Sequence, residues 1–250
     1  MTFVELLKRY VEDYTNRHDL TVIPLIIDPA YRFTMSGQTI GYAQYLTTVE
    51  GAFDLFPDLS LVVHDLFTNG DRLAMRFSER GTSARHQRPA VWSGIALYRW
   101  NGRDRLTECI VEQDFYGRLQ QLRGSPPPPL APPMENPFAV KPMQPDPEAE
   151  KLAADYILSQ SSPPFMSEGE VAIHEAFSAG GKVALRFRRH GAYLGGLVGA
   201  PNDAVGHLDF VDTNAVVWVE STGAVHCWQV SDLYGFCWRL RRSCGSSFTG

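Results

Sequence analysis

Residues 62–81 read VVHDLFTNGDRLAMRFSERG, and residues 172–191 read AIHEAFSAGGKVALRFRRHG. Aligned without a gap, the stretches share seven of 20 positions: His64/His174, Phe67/Phe177, Gly70/Gly180, Ala74/Ala184, Arg76/Arg186, Phe77/Phe187 and Gly81/Gly191. Six more are close exchanges, among them Asp65/Glu175 and Arg72/Lys182. Two strand-like runs flank the turn Thr68-Asn69-Gly70-Asp71, whose Asn-Gly pair is a hairpin signal. A match of this kind 110 residues apart marks an internal repeat, so the chain is read as two related units.

Outward from the first hairpin, the spacing predicts helices before it and strands after it. Thr2 and Glu5 form a capping box, and Val4, Leu7, Val11 and Tyr14 continue an apolar helical stripe to about His18. A short second helix is expected over 20–27, an irregular strand pair around PAYRFTMSG, and a third helix from Thr39 to Phe53. VWSGIALYRW and RLTECIVEQDFYG read as the strands that follow the hairpin, joined at Asn101-Gly102. The second unit opens with Asp146 as N-cap and Pro147 at the first helical position. It then has only SSPPFMSEGE before its strands resume, and it carries a longer insert, AYLGGLVGAPNDAVG. Helices first and an antiparallel meander afterwards predict an α+β fold.

Composition bounds the rest. Residues 125–145 hold nine of the 17 prolines and are expected to be a stiff linker between a domain at 1–124 and a second at 146–250. With 44% hydrophobic and 20% charged residues the chain is of the ordinary globular class. A net charge of −5 argues against nucleic-acid binding. No run approaches the ~20 apolar residues that span a bilayer, and the N-terminus lacks a signal pattern. Cys109, Cys227, Cys237 and Cys244 have neither metal-ligand nor disulfide spacing, so no metal is expected and reduced thiols point to the cytoplasm.

The ends of the units match as well: CIVEQDFYGRLQQL (109–122) aligns with CWQVSDLYGFCWRL (227–240), pairing Asp114 with Asp232, Gly117 with Gly235 and Leu122 with Leu240. This resembles the closing signature of SnoaL-like polyketide cyclases, within the nuclear-transport-factor-two-like superfamily. FPDLSLVVHDLFTNGDRLAMRFSERGT and GIALYRWNGRDRLTE look like the family's strand pair and third strand. The resemblance implies tandem cones, each a curved antiparallel sheet with helices on one face around an apolar cavity. It implies that the two units pack sheet to sheet as an intramolecular pseudo-dimer, which leaves open a further homodimer. The second unit lacks most of the cone helices, so its pocket is expected to be shallow or absent.

By the same resemblance the function is a cofactor-independent cyclase or isomerase acting on a hydrophobic carbonyl compound, or a noncatalytic binding or assembly module with that fold. Along the last strand Ile110, Glu112 and Asp114 share one phase. The resemblance turns that phase into the cavity and makes Asp114 the acid/base, its pKa raised by desolvation. The competing reading of Asp114 is a cap that accepts backbone N–H bonds ahead of Gly117. Tyr10, Tyr14, Phe33, Trp92 and Tyr98 are candidate substrate contacts alongside Ile110 and Glu112, though aromatics in such domains are often core.

Ketosteroid isomerase chemistry looks lost, because Thr34 and Ala96 stand at the base and acid positions while Tyr10 keeps the tyrosine. Epoxide hydrolase chemistry looks broken at Arg76-Phe77-Ser78. The cyclase pattern itself has Ile110 where the family has Trp, a residue that Trp228 supplies in the second unit. His64 and His174 read as structural, Arg76 and Arg186 as contacts between units or an anion site, and Asp28 as an acidic position or a turn former before Pro29.

Overall fold

The structure, a computed structural model, describes residues 1–245. Its first half is a six-stranded curved sheet, β1 (Ile27–Met35), β2 (Gln38–Gly41), β3 (Ser60–Thr68), β4 (Arg72–Thr82), β5 (Pro89–Trp100) and β6 (Leu106–Gln113), in the order β2-β1-β6-β5-β4-β3. Only β1 and β6 run parallel. Against one face lie α1 (Phe3–Arg9), which runs on through a wider π-type segment to Thr15, the short α2 (Ile23–Ile26) and α3 (Tyr42–Leu55). The predicted capping box is present: Glu5 N–H donates to Thr2 Oγ1 and Thr2 N–H to the Glu5 carboxylate. Leu6, Leu7, Ile23, Ile26 and Ile27 are fully buried against Leu73, Met75 and Ala96 of the sheet.

Two predicted boundaries move. The helix expected over 20–27 is one 3₁₀ turn at Leu20–Val22 and one α turn, because Ile27 already starts β1. Thr39, expected in a helix, pairs with Thr34 across the β1–β2 hairpin, their hydroxyls 2.8 Å apart. The end of the unit also differs: the last strand stops at Gln113, and Phe115–Leu122 forms α4.

The second half repeats the last four strands: β7 (Val171–Ala179), β8 (Lys182–Ala192), β9 (Leu208–Val219) and β10 (Val225–Ser231), in the order β10-β9-β8-β7. The repeat extends to an irregularity. The β3–β4 ladder slips between Val63 and Asp65, and the β7–β8 ladder slips between Ile173 and Glu175. His64 and His174 are thus the extra residues of matching bulges. One helix, α5 (Pro147–Ser159), capped by Asp146, covers the inner face of this sheet, burying Ala149, Ala153 and Ile157 against Val183, Leu185, Ala215 and Val217. α6 (Leu233–Ser243) closes the half as α4 closes the first. Among the described residues no helix is long and apolar enough to cross a membrane.

The outer faces of the two sheets meet. Phe67, Ala74, Ile95, Leu97 and Ile110 pack with Phe177, Ala184, Val216 and Val230 in one shared core. Around it the contacts are reciprocal: Arg72 pairs with Glu175, and its counterpart Lys182 pairs with Asp65 at 2.5 Å. Phe67 meets its own counterpart Phe177 at 6.0 Å between ring centroids. Arg76 stacks over Trp228 at 4.7 Å, and Asn214 donates its amide to the carbonyls of Ile95 (2.9 Å) and Ile110 (3.2 Å).

The proline-rich segment is docked along the exposed edge of β3. Met134 N–H donates to Val63 O, Met143 N–H to Thr68 O, and the Pro132 carbonyl lies 3.1 Å from the bulged His64 ring. These bonds occupy an edge that would otherwise be open to a foreign strand.

Candidate functional site

Residues that face each other across a sheet ladder share a face. Tyr98 pairs with Cys109, Ala96 with Val111 and Gly94 with Gln113, and all of these look inward toward the helices. Leu97 pairs with Ile110 and Ile95 with Glu112, and these look outward toward the second half. The expected phase of β6 is therefore reversed. Ile110 belongs to the core between the sheets, and Glu112 sits at that junction, where its carboxylate accepts from Ser36 N–H at 3.3 Å. Burial, with Asp232 and Asp212 nearby, holds the Glu112 carboxyl well above the usual range.

Asp114 lies past the end of the strand, and the structure places it outside the cavity wall. Its Oδ1 accepts from Gly117 N–H at 2.7 Å as the N-cap of α4. Asp232 caps α6 in the same way, through Gly235 N–H at 2.8 Å. Asp28 accepts from Ala30 N–H at 2.9 Å, the bond of an Asx turn.

Between the inner face and the helices is a cavity of about 380 Å³. Tyr10, Tyr14, Phe33, Trp92 and Tyr98, all sequence candidates, line it together with Tyr45, Phe53, Phe56 and Phe77. Its floor carries a phenol chain: the Tyr45 hydroxyl is 3.2 Å from that of Tyr10 and 3.0 Å from that of Tyr14. Burial raises all three phenols well above their ordinary value, so they stay neutral and able to donate.

The charged groups of this wall are ones the sequence analysis passed over. Glu79, near the end of β4, is the only carboxylate lining the cavity among the described residues, and Arg118 of α4 is the only cation. The indole N–H of Trp92 is shared between Glu79 Oε2 (3.0 Å) and Gln113 Oε1 (2.7 Å). Arg118 is stacked on Phe115, Trp92 and Phe56, at 4.1, 4.9 and 5.1 Å from their ring centroids. Desolvation pushes the Glu79 carboxyl up to about 7, against the opposite pull of Arg118 and of the Trp92 hydrogen bond. A carboxyl in that range exchanges protons near neutral pH, and the phenols present donors across the same space.

The second half was expected to have little or no pocket. It encloses a smaller cavity of about 200 Å³, bordered by Phe165, Phe187, Arg189, Thr213, Ser231 and Leu233.

Residues 7–109, which carry nearly all of the first sheet and its helices, match the SnoaL-like domain family. This part of the chain matches the SnoaL-like family. Solved structures similar to the chain each cover about half of it. AclR from Streptomyces galilaeus is 21% identical, with 49% of this chain and 96% of that one covered at a TM-score of 0.44. A SnoaL-like polyketide cyclase from Agrobacterium tumefaciens is 17% identical, with 50% and 99% covered at 0.43. An NTF2-like protein of unknown function from Exiguobacterium is 19% identical, with 44% and 98% covered at 0.39. No curated protein matches the chain. In the SnoaL-like domain, then, the cavity lies between the curved sheet and its helices, and the one acid on its wall among the described residues comes from the β3–β4 strand pair.

Proposed function

We propose that the SnoaL-like domain is a cofactor-independent acid/base enzyme of the cyclase or isomerase kind, that it acts on a hydrophobic carbonyl compound, and that Glu79 moves the proton. The observation that carries this reading is the position of Glu79, a lone carboxylate on an aromatic cavity wall, oriented by the Trp92 N–H. Glu79 takes a proton alpha to the substrate carbonyl, and a phenol of the Tyr10–Tyr45–Tyr14 chain donates to the oxygen on which charge develops. Arg118 sits where it favours the ionised form of Glu79 while its aromatic stack keeps it in place. A volume of about 380 Å³ suits a ligand of drug-like size.

The test is a screen of ketone-bearing polycyclic compounds, scored for tryptophan quenching on binding and for deuterium exchange at the alpha carbon. Glu79→Gln is expected to keep binding and to lose exchange. Exchange that survives this substitution overturns the assignment. A second reading, a binding module without chemistry, is favoured by the capping role of Asp114, which occupies the residue the family resemblance marks for proton transfer. Saturable binding with no exchange in the wild type is the result it expects.

We also infer that the two halves form an intramolecular pseudo-dimer. The crossed pairs Arg72–Glu175 and Lys182–Asp65 and the Phe67–Phe177 contact support it, because a two-fold interface joins i to j and j to i.

A further inference from the structure

We propose that the second half holds a separate ligand site, a cavity on the inner face of its sheet that takes a small organic acid with its carboxylate on Arg189. This inference is independent of the chemistry assigned to the first cavity.

The location comes from the repeat. The ladders pair Phe77 with Gly94 and Phe187 with Thr213, which makes Trp92 the counterpart of Val211. Carried along the closing strands, the correspondence matches Gln113 with Ser231 and Phe115 with Leu233. Phe187, Arg189, Val211, Ser231 and Leu233 all border the second cavity, and all five counterparts border the first. The two cavities therefore occupy the same place in the repeated unit. α5 covers only part of the inner face and ends at Ser159, so the space beyond it stays open.

The lining has changed in chemistry. Arg189 stands where Glu79 stands in the first half, so the sign of the wall charge is inverted. Its side chain is buried, with 7% of the residue exposed, and the one hydrogen bond of its guanidinium goes to Gln160 O at 3.2 Å. Among the described residues no carboxylate lies within ion-pairing distance of it. Glu168 is the acid whose charge reaches it, and that carboxylate is already held by Ser162, through its N–H at 2.9 Å and its hydroxyl at 3.2 Å. A guanidinium has five N–H donors in a fork that matches a carboxylate. A buried cation short of counter-charge is costly to keep, and an anion in the cavity supplies what the chain does not.

The other walls define the rest of the ligand. Thr213 and Ser231 put a hydroxyl pair, 2.8 Å apart, on one side, and Gln229 and Gln160 an amide pair, 2.7 Å apart, on another. Phe165, Phe187 and Leu233 supply apolar surface. The volume of about 200 Å³ falls below the ~300 Å³ at which drug-sized pockets begin, so the ligand is a compact acid with one ring or a short chain.

The test titrates the full chain with benzoate, and in parallel with its neutral counterpart benzamide, at constant ionic strength, following ¹H–¹⁵N signals. Saturable shifts at Arg189, Thr213 and Ser231 are expected with benzoate, and at least tenfold weaker binding with benzamide. Arg189→Gln is expected to weaken benzoate at least tenfold, and Leu233→Trp, which fills the cavity and keeps the arginine, to block it. Leu233→Trp decides the matter if Arg189→Gln does not fold. No saturation below about 10 mM, equal binding of benzamide, equal binding of inorganic phosphate, or benzoate binding that survives Leu233→Trp would each overturn the proposal.

Discussion

Glu79 shows how a single residue takes its chemistry from its surroundings. A free glutamate titrates near 4.3, and here desolvation raises it to about 7. The unfolded chain releases this proton at lower pH than the folded one, so the folded state binds more protons between those values. Stability should therefore fall as pH rises from about 4.5 to 7, with the full contribution present only at the acid end. Because Glu79 keeps some access to the cavity, the effect is about 2 kcal/mol rather than the ~3.4 that about 1.4 per pH unit would give over this range. Urea unfolding of wild type and Glu79→Gln across this range should show the wild type losing that amount relative to the variant. Trp92→Phe removes the hydrogen bond that favours the carboxylate, and carboxyl-carbon NMR should place Glu79 above its wild-type value. In the sequence, Glu79 reads as a polar strand end in SERG. Its burial is made by Phe56, Phe115 and Arg118 from distant segments, and no local pattern carries that information.

At the scale of elements, the legible features were those set by neighbours in the chain. The capping box of α1, the Asn-Gly hairpin and the Asp146–Pro147 start of α5 each rest on a few adjacent residues, and each is present. The facing of β6 was not legible for the opposite reason. Ile110 and Val111 are both apolar, since the strand is buried on both sides, and alternation then cannot tell inside from outside. α4 was missed because the strand reading ran through its N-cap. Asp114→Ala should cost about 1 kcal/mol of stability, and Asp114→Asn a few tenths, by denaturant unfolding. Gly94 makes a sharper case. A Cβ there would fall 2.2 Å from Cζ of the buried Phe77 ring, so Gly94→Ala should destabilise by about 1–3 kcal/mol. Melting curves of the two alanine variants will rank those losses.

For the whole molecule, the repeat forecast the second sheet, and the proline-rich composition predicts an extended segment before it. The docking of that segment on β3 was not legible, because it uses backbone N–H groups that sequence does not distinguish. Asn214 ties the sheets together through two carbonyls of the other half, so Asn214→Ala removes both of these bonds from the shared core. A loss of about 1–3 kcal/mol is expected, read as a lower urea midpoint with an unchanged slope. The docked segment also keeps both halves on one chain. Partners on one chain meet at a fixed ratio of one to one, and dilution does not part them. When a protein pairs with an identical copy, every mutation is written into both sites at once, so neither site can drift alone. Here each half has its own codons, so Glu79 and Arg189, at one place in the repeat, can carry opposite charges.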